Sequence, residues 1–86
     1  MSTPTGIVLG SNDVIIEASA GDAINQFLSK DFAGGYARQI GTLVTSCDVD
    51  DYVQYNKTGS AAFIQGGVTY VWTTQDKIFF VQEPVP

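Results

Sequence analysis

Few residues in this chain have the chemistry for catalysis. It holds one cysteine, Cys47, and no histidine. Without histidine the Ser-His and Cys-His dyads are missing, and so is the commonest general base. A nucleophilic Cys47 would need a cation or a helix N-terminus to favour its thiolate, but Asp48 follows it. The thiol therefore reads as a packing group with a raised pKa. A single cysteine also falls short of a tetrahedral zinc set.

The only dense polar cluster is Asp48, Asp50 and Asp51. Hard cations take carboxylate oxygens, so a weak divalent site is the chemistry to test there. The EF-hand spacing fails: counted from Asp48, the position that needs glycine is Val53 and the one that needs glutamate is Gly59. The cluster reads as a solvated loop. Glu17 and Asp22 could in principle flank a glycosidic bond, but so short a chain leaves little room for a sugar cleft. No dinucleotide or phosphate-loop fingerprint occurs, and Gly34-Gly35 and Gly66-Gly67 read as turn glycines. The expectation is a protein that is not an enzyme and takes neither metal nor cofactor.

Stacking is the remaining chemistry. Tyr70, Trp72 and Phe79 could form a platform for bases or sugars. Nucleic acid is disfavoured by charge, because nine acidic residues face only four basic ones, Lys30, Arg38, Lys57 and Lys77, and these are scattered along the chain. Core packing is the simpler use of these rings.

The elements that must position them are mostly strands. In the C-terminal stretch, two β-rich runs flank Gln75-Asp76, which predicts a hairpin. Its pairing would put Tyr70, Trp72, Phe79 and Val81 on one face and Val71, Ile78 and Phe80 on the other. A second hairpin is expected around Ser11-Asn12, with Val8 and Ile15 on one face and Ile7, Leu9, Val14 and Ile16 on the other. A third is expected between residues 51 and 65, turning at 56–60. In the first two, both faces are apolar, unlike a half-exposed hairpin with its strict alternation.

Between the first two hairpins the period changes. Ile24, Phe27, Leu28 and Phe32 recur at helical spacing, with Gly34-Gly35 as the stop, which predicts a helix over about 21–33. From Tyr36 to Ser46 both periods fit. Gly41 and two threonines disfavour helix by about 2 kcal/mol, which favours a strand from Ile40 to Ser46. Residues 1–5 read as a flexible lead and 83–86 as an extended tail.

These elements describe one domain over 1–86: an α+β, β-rich fold, an antiparallel sheet or small sandwich of hairpins with the helix on one face. The first residues show no signal-peptide pattern and no apolar run is long enough to span a membrane. With one cysteine, a disulfide framework is excluded. Synthesis in the cytoplasm is the expectation, with no membrane or nucleic-acid partner.

Charged residues make up 15% of the chain against a usual figure of about 25%. Low charge and two-sided apolar hairpins favour burial between chains, so the expected role is protein–protein contact as a small subunit of a symmetric homo-oligomer. The general look is that of small phage virion proteins such as decoration or tail components. The candidate interface is Val71, Ile78, Phe80, Tyr70, Trp72, Phe79, Val8 and Ile15. An alternative is a small acidic inhibitor or anti-defence protein that sets Asp48, Asp50, Asp51 and Asp76 against a basic partner's active or nucleic-acid-binding site.

Overall fold

The structure is a computed structural model that describes residues 4–18 and 32–83. Six strands form one antiparallel sheet: β1 (Asp13–Ala18), β2 (Phe32–Ile40), β3 (Tyr52–Asn56), β4 (Ala61–Gln65), β5 (Val68–Thr74) and β6 (Ile78–Gln82). Their order across the sheet is β4-β5-β1-β2-β3-β6. The β-rich antiparallel expectation is met. The predicted helix falls on residues outside those described, except that Phe32 and Ala33 belong to β2.

The sheet curls. β5 and β6 stand four places apart, about 19 Å in a flat sheet, yet Thr74 and Ile78 are joined by a chain that reaches at most about 14 Å. The sheet is therefore rolled into a half-barrel, which brings together the corner between β5 and β6 and the loop between β3 and β4. Ser60 Oγ bonds Thr73 Oγ1 at 3.0 Å across that junction.

The C-terminal hairpin is corrected by this topology. β5 pairs with β1 and β4, while β6 pairs with β3. Turn chemistry is the reason. The two-residue hairpin loops that suit the twist of paired strands need positive φ at the first position, and type I′ at both, which Gly66 (60°) and Gly67 (79°) supply between β4 and β5. Gln75-Asp76-Lys77 instead forms one 3₁₀ turn. Gln75 then becomes a tie between loops. Its backbone N–H donates to Asn12 O (3.0 Å), its side-chain amide donates to Asn12 Oδ1 (2.7 Å) and Leu43 O (3.2 Å), and its Oε1 accepts from Thr45 N–H (2.9 Å).

The other pairings change for related reasons. The chain does turn at Ser11-Asn12, with Asp13 N–H donating to Gly10 O, but residues 7–10 are not a strand. Those residues cross the outer face: Thr5 and Gln65 exchange hydrogen bonds of 2.7 and 2.9 Å, and Gln39 Nε2 donates to Ile7 O at 3.3 Å. Pro4 is buried and Thr5 is tied, so the lead reading does not hold for them. The turn between β3 and β4 lies at 57–60 as expected, but β3 pairs with β2 and β6 rather than β4. The strand expected over Ile40–Ser46 ends where it should have begun: Ile40 closes β2 and residues 41–51 are loop.

Gly34-Gly35 is not a stop. Both are buried within β2, where a Cβ on Gly35 would lie 2.2 Å from Glu17 O and 2.7 Å from Ile16 Cγ2. Bare backbone at this point lets β1 and β2 approach, the use of a strand glycine that periodicity cannot reveal.

One face of the rolled sheet makes the core. Val14, Ile16, Ala37, Cys47, Val53, Tyr55 and Val71 are buried together, with Ala33, Ile40, Val44, Ile78 and Val81 packed against them. Register explains the set: Ile16 stands between Ala37 and Val71, and Val53 between Gly35 and Val81.

Candidate protein–protein interface

The outer face carries one row that crosses all six strands: Phe63, Tyr70, Glu17, Tyr36, Tyr52 and Gln82, each opposed to the next. Phe63 stacks on Tyr70 with centroids 5.6 Å apart, and Tyr36 meets Tyr52 edge-on at 5.5 Å. A bulge in β2 frees Arg38 from the ladder, since Ile15 opposes Gln39 and Ile16 opposes Ala37. Its guanidinium lies 5.2 Å from the Tyr36 ring centroid and bonds Glu17 Oε1 (3.2 Å) and Asp50 Oδ1 (2.8 Å). The cation thus fastens β1, β2 and the acidic loop together.

That loop is tied to the fold by its own carboxylates and backbone. Asp51 is buried and its Oδ2 accepts Asp48 N–H at 2.9 Å. Asp50, at φ 77°, pairs with Arg38 and donates its own N–H to Ala37 O at 2.7 Å. Asp48 is exposed. Asp76 sits on the corner between β5 and β6, where the Thr74 hydroxyl donates to its carboxylate and holds its pKa below the ordinary value. Of these four carboxylates Asp50, Asp51 and Asp76 have local hydrogen-bond roles, and no group of three metal-ligating side chains occurs among the described residues. Cys47 is buried in the core; desolvation is the main cause that raises its thiol pKa, partly offset by Ser46, with Asp51 and Asp48 raising it further.

The eight candidate interface residues divide. Val71, Tyr70 and Ile15 are buried, and Ile78 packs on the core. Trp72 is half-buried on the outer face, opposed to Ile15 and Ala61. Val8 is almost fully exposed on the crossing segment. Phe79 and Phe80 remain about half exposed, at 53% and 46%.

Their exposure has a local cause. Regular alternation along β6 would send Phe80 inward beside Ile78. Instead Gln54 opposes Phe80 and the next residue, Tyr55, opposes Ile78, so the bulge at Phe79 turns two consecutive phenylalanines outward. Phe79 meets the Phe32 ring edge-on at 5.0 Å, and Phe80 points away from the core into which Ile78 and Val81 pack.

β6 is also an edge strand, as is β4 at the other end of the sheet, where Ile64 is 73% exposed. Neither Ala61–Gln65 nor Ile78–Gln82 contains a charged residue or a proline. Natural monomers blunt their edges with those residue types, and here β6 carries only the bulge. Sequence reasoning picked out Phe79 and Phe80 but not Ile64. The uncharged run in β4 was a usable signal, masked by pairing that strand with β3. The chain matches no known protein-family model, and no curated protein is significantly similar to it.

Proposed function

We propose that this protein is a non-enzymatic subunit that works by binding other protein chains, foremost copies of itself, in a symmetric assembly. The observation that carries the reading is β6: an uncharged, proline-free edge strand with Phe79 and Phe80 facing outward at about half exposure. Apolar surface contributes about 25 cal/mol per Å² when removed from water, and an edge offers unpaired backbone donors and acceptors besides. Together they favour association over a free edge. A repeated shell or tube, such as a virion, is the setting in which such a subunit would serve.

The acidic inhibitor reading draws less support, because Asp50, Asp51 and Asp76 are engaged within the chain and only Asp48 stands free of a described partner. The test is the solution mass of the purified chain by light scattering across a thousandfold concentration range. A defined oligomer that persists on dilution to micromolar levels supports the assembly. A monomer throughout overturns it.

A further inference from the structure

We infer that two copies associate through β6, antiparallel and edge to edge, about a two-fold axis at Phe80. This inference rests on the assembly reading above and specifies its contact. The strand is self-complementary about that residue. On its bonded side, Phe80 faces outward opposite Gln54, while Ile78, one step along β3 from it, and Val81, one step the other way, both face the core. The bulge at Phe79 makes Ile78 and Val81 equidistant from Phe80 in register, although they are two and one residues from it in sequence.

An antiparallel second copy centred on Phe80 therefore sets Phe80 against its own counterpart and Ile78 against the other copy's Val81, twice. Both faces continue across the contact, apolar inside and aromatic outside, as a residue-for-residue register requires. A register that set Phe80 against Ile78 or Val81 of the other copy would instead oppose an outward ring to a residue that faces the core.

Charge gives the same answer. Lys77 precedes β6 and Glu83 follows it, and the strand between them is neutral. Antiparallel pairing about Phe80 carries each Lys77 to the Glu83 end of the other copy, so both ends of the contact are attractive. For a chain with a net charge of -5, an interface with a neutral middle and opposite charges at its ends avoids the repulsion that most faces of an acidic protein would meet. A parallel arrangement would set Lys77 against Lys77 and Glu83 against Glu83. β4 has no such flanking pair: Lys57 and Gln65 bound its region and no acid follows until Asp76.

Disulfide trapping in the full chain tests the contact. Directly opposed residues of antiparallel strands lie about 4.5–5.5 Å apart at Cα, within disulfide reach. Phe80→Cys should give near-complete covalent dimer on mild oxidation. Ile64→Cys, on the more exposed edge, should give less than about a tenth of that yield, and the parent chain, with Cys47 buried, should give none. Equal yields from the two variants, or more from Ile64→Cys, in a protein that light scattering finds oligomeric would overturn the β6 contact and leave the assembly reading standing. A monomeric parent chain would overturn both. A charge swap tests the register separately. Lys77→Glu should weaken association about tenfold, and adding Glu83→Lys should restore it to within about threefold. A double variant as weak as the single one overturns the antiparallel register.

Discussion

β1 and β6 each carry an unbroken apolar run, and the two runs meet opposite fates. β1 has three consecutive apolar residues, Val14, Ile15 and Ile16, and all three are buried to 1% exposure or less. β6 has four, Ile78 to Val81, and its two phenylalanines stay about half exposed. The difference is position in the sheet. β1 lies between β2 and β5, and the segment before it crosses the outer face, with Ile7 held by Gln39, the residue opposed to Ile15. Among the described residues β6 has β3 on one side only. Two-sided hydrophobicity alone thus does not say whether a strand is covered within its own chain; its place in the sheet decides that.

The comparison is broken most easily at β1. Ile16→Ala removes a side chain at the centre of the core, between Ala37 and Val71, and should cost about 3 to 4 kcal/mol of folding stability in urea denaturation. A loss below about 1 kcal/mol would mean that β1 is no better packed than β6. Gly35→Ala acts on the same junction from the other side. The new Cβ meets the Glu17 carbonyl, a backbone group that can move only with β1, so a loss of about 2 to 3 kcal/mol is expected from thermal or urea unfolding. A neutral result would show that β1 and β2 can separate without cost.

This contrast also shows what could be read from the residues. The β-rich antiparallel class followed from Val, Ile, Thr and aromatic runs between turn residues, and the turns at Ser11-Asn12, 57–60 and Gly66-Gly67 are where composition put them. Partner choice was hidden. A hairpin is the cheapest assumption for two adjacent strands, but the tie that Gln75 makes to Asn12, Leu43 and Thr45 depends on loops far apart in sequence. The bulges at Arg38 and Phe79 were equally invisible, because each shifts the period by one residue only after the partner strand is known. Phe79 and Phe80 were found as interface candidates through their hydrophobicity. That they face outward together could not be found, since alternation puts them on opposite faces.

A smaller effect tests whether the core side of the comparison is as dry as the burial of Cys47 implies. Desolvation holds this thiol's pKa above its ordinary value of 9.0 in the folded chain. The unfolded chain therefore loses the proton first as pH rises. The stabilisation that this linkage gives is fully present below about pH 8 and declines through and above the ordinary thiol pKa. Relative to Cys47→Ala, the parent chain should keep a constant advantage in urea midpoint from pH 6 to 8 and lose part of it by pH 10. A difference independent of pH would mean that the thiol reaches water, and the loop 41–51 does not seal that end of the core.

The smallest effect on the fold belongs to β6, and it carries the most meaning. Phe80 is 46% exposed and opposes Gln54, so Phe80→Gln replaces an aromatic half in water by an amide beside another amide. At concentrations where the chain is monomeric, it should change folding stability by less than about 1 kcal/mol, as surface substitutions commonly do. At higher concentrations the same substitution should weaken association about tenfold, because Phe80 would then be buried in the contact; the weakened contact still forms often enough for a disulfide to trap it. The two measurements separate what the residue does for the fold from what it does for the assembly. A loss above about 2 kcal/mol in the monomer would mean that Phe80 is covered by its own chain, and β6 would then be a second β1 rather than its counterpart.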